Sequence, residues 1–427
     1  MVRSVIYNLI SNMTPPHQSQ EPAMTPSNVD SSEAVSRETV LARAKELLPI
    51  LAERSEAASE QRRLPEENVR DFHDAGLFKI LQPKRVGGLE LDLGMLVDVG
   101  AVVSRACASS GWNVSNLASH HWMLAMWPKA AQDEVWGKNG ETADTLICAS
   151  VIFPAGRAKR VDGGYLLSGR WPFCSGIDPS EWNMLGGMVE ADDDHPEKEA
   201  RMFLLRKSEH EVIDTWFTSG LQGTGSKDSA ADEIFVPEHM TVSADDVKGG
   251  PTPGSEVNPG ALYQIPVIAP FAYVLSGTPL GIAEGVYQNY VDGMKSRTAN
   301  YTGARIADLQ NVQIKVAEAG AAIEAARLMM IGDCDLSMDI AGRGEIPDLE
   351  TKAKFRRNGA YSANLCIEAV NKLYQASGGG GIYTRNPIAR AFRDIHAARG
   401  HIAFNMDIAG ATFGRIALGL GSDNPVL

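Results

Sequence analysis

Apolar side chains recur at helical spacing through the first third of the chain. Val40, Ala44, the pair Leu47 and Leu48, and Leu51 recur every three or four positions, which is the period of an amphipathic helix. Similar patterns continue as far as Trp136, and glycines at position 76 and positions 87–88 mark turns or helix ends between them. This part of the sequence therefore predicts a group of helices.

The pattern changes to one typical of strands between residues 146 and 237. Asp162, Gly163 and Gly164 form a turn signal directly before Tyr165–Leu167, which favours a hairpin. Further strands are predicted at Trp182–Val189, Met202–Leu205 and Asp232–Pro237. The loop that follows, Gly249–Pro259, is rich in Gly and Pro and indicates a boundary.

The last part returns to helical spacing. One small and mostly apolar stripe consists of Val316, Gly320, Ile323, Arg327 and Met330, and Pro387–Leu418 reads as one further long helical pattern. Runs of helices, then strands, then helices predict an α+β fold rather than alternating α/β units.

The expected domains follow these changes of pattern. Residues 1–34 contain a stretch rich in Pro, Ser and Gln, which predicts a disordered extension. An N-terminal helical domain is expected over residues 35–145, a middle β domain over residues 146–258 and a C-terminal helical bundle over residues 259–427.

Composition excludes several classes of protein. The formal net charge is −13 over 427 residues, which argues against nucleic acid or anionic membranes as partners. No apolar run is long enough to span a bilayer, and no signal peptide is recognised. The five cysteines form no CxxC pair, so we expect no disulfide framework, no metal site and a cytoplasmic protein.

Common nucleotide and catalytic motifs are absent or incomplete. Gly220–Asp228 fails the phosphate-loop pattern because Lys227 does not follow a glycine directly. The sequence also contains no HExxH, no nucleophile elbow and no dinucleotide fingerprint.

Four segments, in the right order, resemble the acyl-CoA dehydrogenase superfamily from about Ser36 onward. They are GLFKILQPKRVGGLELD (Gly76–Asp92), GGYLLSGRWPFCSGIDPSEW (Gly163–Trp182), RTANYTGARIADLQNVQIKVAE (Arg297–Glu318) and YQASGGGGIYTRNPIARAFRD (Tyr374–Asp394). The resemblance implies an N-terminal helical domain, a middle β-barrel or sandwich and a C-terminal four-helix bundle.

Within that superfamily the chain is most similar to flavin-dependent monooxygenases, such as the 4-hydroxyphenylacetate hydroxylases and the steroid-ring hydroxylases. Gly225-Ser226-Lys227, the Arg393-Asp394 pair followed by His396, and His120 after Trp112 are typical of that branch. The dehydrogenases need a glutamate to remove a proton. At the two matching places, near Ile402 and Phe271, this sequence has no carboxylate.

The resemblance implies an oxygenase component that works with a separate NAD(P)H:flavin reductase. Reduced flavin, FMNH2 or FADH2, would react with O2 to give a C4a-hydroperoxide, which an apolar pocket protects. An aromatic substrate, with a phenol as the expected class, would then be hydroxylated. The family also implies a homotetramer, because the flavin tail crosses a subunit boundary.

Specific residues are implied by the same alignment. Phe173 and Ser175 match residues at the flavin ring, and the flavin-tail site matches Arg297, Gln375, Gly379 and Gly380. His396, His120 and Ser175 are the expected catalytic residues, and Trp112, His120, Ala149 and Ser150 the expected substrate contacts.

Several alternatives stay open. His120 could instead be a core histidine bonded to the backbone, Trp112 could serve core packing alone, and Phe173 and Ser175 could be ordinary strand residues. Departures from the 4-hydroxyphenylacetate pattern at Ala149 or Ser150 and at Ile268 leave the substrate and the choice of flavin undecided. Oxygenation of nitrogen or sulfur, acyl-CoA dehydrogenation and a non-catalytic scaffold are the rival functions.

Overall fold

The computed structural model describes residues 35–422 and residue 427, so the extension expected over residues 1–34 lies outside it. Six helices come first: α1 (Arg37–Glu46), α2 (Leu48–Gln61), α3 (Glu66–Asp74), α4 (Gly94–Ser104), α5 (Ala108–Leu124) and α6 (Lys129–Trp136). α1 begins where the side chain of Ser36 accepts a hydrogen bond from the backbone N–H of Thr39, a common way to satisfy a free helix N-terminus.

Helices α4 and α5 form the centre of this part. Every residue of both helices is buried, as expected for helices without a consistent polar face. The chain turns between them at positions 105–107. Trp112 and His120 therefore share one helix, α5.

Eight strands form one mixed sheet in the middle of the chain. They are β1 (Ile147–Ser150), β2 (Gly156–Val161), β3 (Gly164–Cys174), β4 (Trp182–Val189), β5 (Glu199–Arg206), β6 (Glu211–Ile213), β7 (Lys227–Pro237) and β8 (Thr241–Ser243). The order is β6-β7-β3-β2-β4-β5-β8, with β1 pairing parallel to β4. The hairpin predicted at Asp162-Gly163 is confirmed, since Val161 pairs with Gly164 across it.

Five helices complete the chain: α7 (Ala272–Ser296), α8 (Gln310–Gly342), α9 (Leu349–Ala376), α10 (Pro387–Arg399) and α11 (Met406–Ala417). The α+β class and the order helices, sheet, helices are as predicted. None of the described helices combines the length and the apolar character needed to cross a membrane.

The prediction of one long helix over Pro387–Leu418 was wrong, because α10 and α11 are separate. Phe404 is buried between them, and its carbonyl oxygen accepts a hydrogen bond from the Asn364 side chain on α9 at 3.0 Å. The Asn405 side chain then accepts from the backbone N–H groups of Asp407 and Ile408. A buried anchor followed by a capping residue ends one helix and starts the next.

A chain of charged side chains joins the first and last helical parts. Arg327 on α8 contacts Asp98 on α4 at 2.6 Å and Glu284 on α7 at 2.7 Å. Asp98 also contacts Arg37 on α1, and Glu284 contacts Arg105 at the end of α4. We call these five residues the charged seam.

Candidate functional site

The end of strand β3 presents an aromatic ring and a hydroxyl group. Phe173 has a φ of 66° and is 59% exposed, both unusual for a large apolar residue in a strand. Its carbonyl oxygen accepts a hydrogen bond from the backbone N–H of Ser175. The Ser175 hydroxyl is buried and accepts a hydrogen bond from Trp112 Nε1 at 3.1 Å.

Three hydroxyl groups continue inward from Trp112. Ser175 Oγ lies 2.7 Å from Ser226 Oγ, and Ser226 Oγ lies 2.7 Å from Thr224 Oγ1. Thr224 Oγ1 donates to the carbonyl oxygen of Leu221 at 2.9 Å. We call Ser175, Ser226 and Thr224 the hydroxyl chain.

Asp394 on α10 holds the loop that carries the hydroxyl chain. Its Oδ1 accepts a hydrogen bond from the backbone N–H of Leu221 at 2.7 Å. The carboxyl is buried, and burial raises its pKa above the ordinary value. The Arg393-Asp394 pair noted in the sequence thus fastens the loop to the last helices, and its carboxylate does not contact Trp112 or Ser175.

One face of α5 forms a wall of the site. Trp112 and His120 are eight positions apart, which places them on the same side of a helix. His120 Nδ1 lies 2.6 Å from the carbonyl oxygen of Ile147 on β1. Because a carbonyl oxygen only accepts, Nδ1 carries the proton and Nε2 of the neutral ring is free of one. Burial lowers the pKa of His120 to about 4, so the ring is neutral near pH 7.

The adjacent histidine faces the other way, as the helical period predicts. His121 Nδ1 accepts a hydrogen bond from Trp136 Nε1 at 3.1 Å. Burial, helped by the neighbouring His120, lowers the pKa of His121 to about 3. His121 belongs to the core of the first helical part and does not contact the site residues Trp112 and Ser175.

Strand β1 brings Ala149 and Ser150 close to the same place. Both residues are buried, and Ser150 Oγ donates to the carbonyl oxygen of Pro172 at 2.7 Å. Pro172 directly precedes Phe173, so these expected substrate contacts lie beside the expected flavin contacts.

His401 is the site residue that sequence reasoning missed. It follows the end of α10, and its ring centroid lies 5.7 Å from Trp112, 6.1 Å from Phe271 and 6.0 Å from Phe404. Burial lowers the pKa of His401 to about 4. Nδ1 accepts a hydrogen bond from the backbone N–H of Ala403 at 3.2 Å, so the proton of the neutral ring is on Nε2. Gly400 directly before His401 was the available sequence signal, because a glycine there is consistent with a helix end.

His396 lies elsewhere. Its Nε2 is 2.8 Å from Asn371 Oδ1 on α9, and its ring packs on Phe392 at 4.4 Å between centroids. Burial lowers its pKa below the ordinary value. Among the contacts given by the described residues, none joins His396 to Trp112, Ser175 or Phe271.

The residues expected at the flavin tail form a second cluster at the end of α9. Arg297 donates to the carbonyl oxygen of Ser377 at 3.3 Å, and a Cβ on Gly380 would lie 3.5 Å from its guanidinium. Gln375 and Gly379 are exposed, and a Cβ on Gly379 would meet no atom within 4 Å. Open backbone beside a guanidinium is suited to a phosphate group.

A cavity borders this second cluster rather than the site at Trp112. It has a volume of about 730 Å³ and is lined by parts of α2, α7 and α10, with Arg297 and Ser377 at one side. Trp112, Ser175 and His401 do not line it. The site at Trp112 is therefore identified by its hydrogen bonds and ring contacts and not by a large cavity.

The groups present in each of these two clusters are of the kinds that hold a flavin. The exposed Phe173 ring offers a flat apolar surface, and the Ser175 oxygen beside it can hydrogen-bond a ring edge. Within the described residues, no Asp or Glu side chain takes part in the hydrogen bonds or ring contacts of Trp112, Ser175 and His401. The same part of the chain also contains no group of three or more residues suited to a metal ion.

Comparison with known proteins identifies the family. Residues 32–138 match the family model described as acyl-CoA dehydrogenase, N-terminal domain, and residues 273–406 match acyl-CoA dehydrogenase, C-terminal domain. The chain is 33% identical over 384 residues to the flavin-dependent monooxygenase oxygenase subunit HsaA of Mycobacterium tuberculosis, covering 90% of this chain and 96% of that protein.

Two further comparisons agree. The oxygenase component of the FADH(2)-dependent resorcinol hydroxylase from Rhizobium sp. is 33% identical, covering 84% of this chain and 89% of that protein. The crystal structure of 3-HSA hydroxylase from Rhodococcus sp. RHA1 superimposes with a TM-score of 0.85 at 30% identity, covering 91% of this chain and 99% of that one. The chain belongs to the acyl-CoA dehydrogenase superfamily, in its branch of flavin-dependent monooxygenase oxygenase subunits.

Proposed function

We propose that this protein hydroxylates an aromatic substrate, most simply a phenol, using O2 and reduced flavin. The observation that carries the proposal is the uncharged site in which Trp112, Ser175 and His401 meet. Reduced flavin supplies the electrons that activate O2, and the protein supplies orientation and a dry environment. The relatives named for a monooxygenase and for resorcinol hydroxylation support the same reaction class.

Two neutral histidines with opposite proton positions are suited to a phenol. His120 offers an unprotonated Nε2, which can accept the phenol proton, whereas His401 offers an Nε2–H, which can donate to the phenol oxygen. Removing the proton raises the electron density of the ring, which then attacks an electrophilic oxygen more readily. Trp112, Ala149 and Ser150 are the further substrate contacts in this proposal.

His401 replaces His396 as our first candidate for the catalytic histidine. His401 contacts Trp112, which in turn donates to Ser175, whereas His396 contacts Asn371 and Phe392. A catalytic group must reach the reacting atoms, and this geometry favours His401.

The flavin ring is proposed to lie against Phe173 and Ser175 of one subunit, and its phosphate against the cluster that Arg297, Gln375, Gly379 and Gly380 form in a neighbouring subunit. The apolar side chains Ile382 and Tyr383 next to this cluster are 70% and 54% exposed. Exposed apolar side chains at this density are typical of an interface. They support the homotetramer that the family implies, in which the tail site serves a neighbouring subunit's flavin.

The other parts of the proposal concern partners and location. A separate NAD(P)H:flavin reductase supplies the reduced flavin, as the subunit and component names of the relatives imply for those proteins. The five cysteines are unpaired and buried, in keeping with a reducing cytoplasm. The domains over residues 35–145, 146–258 and 259–427 are supported by the change from α6 to β1 and from β8 to α7.

The test is a screen with photoreduced FMN and FAD in parallel, mixed with oxygenated buffer and candidate phenols, indoles, amines and thioethers. We expect a phenol to gain one oxygen atom, with FADH2 favoured because the Rhizobium relative is named for it. If oxygen is gained only on nitrogen or sulfur, the phenol is rejected as the substrate class, and the protein is an N- or S-oxygenase. If an acyl-CoA reduces the bound flavin without O2, hydroxylation is rejected in favour of acyl-CoA dehydrogenation.

A further inference from the structure

The direction of every hydrogen bond in the hydroxyl chain is fixed by its two ends. At one end the Leu221 carbonyl oxygen can only accept, so the Thr224 hydroxyl donates its single proton to that oxygen. Ser226 therefore donates to Thr224, and Ser175 in turn donates to Ser226. At the other end the Trp112 N–H can only donate, so it donates to Ser175.

The consequence falls on Ser175. Its proton points inward to Ser226, and one of its two acceptor sites is taken by Trp112, which leaves one acceptor site for a ligand. A group that meets Ser175 must therefore donate a hydrogen bond. N5 of a reduced flavin carries a hydrogen and can donate, whereas N5 of an oxidised flavin has only a lone pair.

We infer that Ser226 and Thr224, which need not touch the flavin, make the site selective for reduced over oxidised flavin by fixing the direction of the Ser175 hydroxyl. This inference rests on the proposed function, since it needs the flavin ring beside Ser175. Ser226 and Thr224 are thus positioning residues that determine which redox state of the flavin binds more tightly. The oxidised flavin, which binds more weakly, is released for re-reduction.

The surroundings keep the direction from reversing. Ser175, Ser226 and Thr224 are 5%, 3% and 1% exposed, so water has little access to offer an alternative partner. The loop is also held by its backbone. The Thr224 carbonyl oxygen accepts from Asn113 Nδ2 at 3.2 Å, and Gly225 next to it has a φ of 58°, which favours glycine.

The experiment measures the dissociation constants of reduced and oxidised flavin for wild type and for Ser226→Ala, together with the midpoint potential of the bound flavin. In the variant the Ser175 proton is released and can turn towards an oxidised N5. The ratio of the oxidised to the reduced constant is expected to fall about tenfold, the worth of one hydrogen bond. For a two-electron couple this lowers the bound potential by about 30 mV.

Three further variants separate hydrogen-bond direction from packing. Ser226→Thr and Thr224→Ser keep the hydroxyl groups and should keep the wild-type ratio. Thr224→Val keeps the shape but frees the Ser226 proton, so the ratio should fall in the same direction. Ser180→Ala removes another buried hydroxyl nearby, one that donates to the Gly176 carbonyl oxygen, and should leave the ratio unchanged.

The outcomes are distinct. If wild type binds neither form of flavin, the proposed function fails, and this inference fails with it. If wild type binds reduced flavin and hydroxylates a substrate but Ser226→Ala has the wild-type ratio, only the inference is overturned. An equal fall in Ser180→Ala would also overturn it, because loss of packing would then explain the effect.

Discussion

The charged seam and the site at Trp112 both bury polar groups between elements that are far apart in sequence, but they use different chemistry. In the seam, Arg327 lies within 2.7 Å of Asp98 and Glu284, and each carboxylate has a second arginine. In the site, Ser175 and His401 have neutral partners, and burial lowers the pKa of His401 to about 4.

The difference follows from what each place must do. A charge taken out of water needs close opposite charges in compensation, and the seam provides them while fixing α1, α4, α7 and α8 to one another. A charge in the site would attract water and would require a counter-ion where an aromatic ring must bind. Neutral hydroxyl and imidazole groups can instead direct single hydrogen bonds towards a ligand at a smaller cost of burial.

The largest effect is expected for His401→Phe, which keeps an aromatic ring and removes the Nε2–H donor. Product formation with reduced flavin should fall about hundredfold, in line with the loss of one aimed donor or acid–base group. The melting temperature should change little, because the ring still packs against Trp112 and Phe271. Product is measured by chromatography under saturating reduced flavin.

His396→Phe is the matched control, since it makes the same change on α10. It should retain product formation within a few-fold. If His396→Phe instead shows the large loss and His401→Phe does not, the assignment of the catalytic histidine is reversed.

The second largest effect is expected for Arg327→Met, which keeps the aliphatic length and removes the charge. Asp98 and Glu284 each keep one arginine, so we expect a loss of about 2 kcal/mol, below the range for a fully buried pair. Thermal or urea unfolding at constant protein concentration measures the loss, and activity per folded molecule should be unchanged.

Arg305→Met is the control for Arg327→Met. Arg305 and Asp308 form an exposed pair three positions apart, for which about 0.3 kcal/mol is expected. Equal losses in the two variants would show that the seam gains nothing from its burial.

Much of the fold was predictable because local patterns decided it. The hairpin at Asp162-Gly163 depends on a few adjacent residues, and the order of helices and strands depends on hydrophobic period. The break between α10 and α11 had one local signal, Gly400, but the buried turn at Phe404 was not predictable, because a contact from Asn364 on another helix holds it. His401 was missed for a related reason, because its ring contacts Trp112 and Phe271, which lie far from it in the sequence.

The site was predictable only in part. The resemblance drew attention to Trp112, His120 and Ser175, and the structure brings Trp112 and Ser175 into contact. The hydroxyl chain was not predictable, since Ser226 lies 51 positions from Ser175 and serines are common in loops. Its meaning comes from the directions of four hydrogen bonds, which depend on tertiary structure.

A third effect concerns the pH dependence of stability and comes from His121, a buried neutral histidine outside both the seam and the site. Burial lowers the pKa of His121 to about 3, whereas an unfolded histidine titrates near 6.5. Between these values the unfolded chain binds more protons, so the free energy of unfolding decreases as the pH falls below about 6.5. At pH 5.5 the titration of His121 lowers the free energy of unfolding by about 1 kcal/mol.

His121→Gln tests this contribution, because the amide oxygen can still accept from Trp136. The variant should lose less stability than wild type between pH 7 and pH 5.5 in unfolding experiments at each pH. An unchanged pH dependence would mean that His121 is already protonated in the folded protein or that the ring is accessible to water.

The smallest effect within the seam is expected at its edge, for Arg105→Gln. Arg105 contacts Glu284 at 2.5 Å, but its side chain is 41% exposed, so water screens the pair. We expect a loss of about 0.5 kcal/mol at low salt. The loss should shrink further in 1 M NaCl, where the screening length is about 3 Å. The loss for Arg327→Met should persist in that salt, since Asp98 and Glu284 are only 12% and 14% exposed. If 1 M NaCl removes the stability losses of Arg105→Gln and Arg327→Met equally, the seam behaves as an ordinary surface network of ion pairs. Burial would then not explain why the seam is charged, and only the need to bind a ligand would explain why the site is neutral.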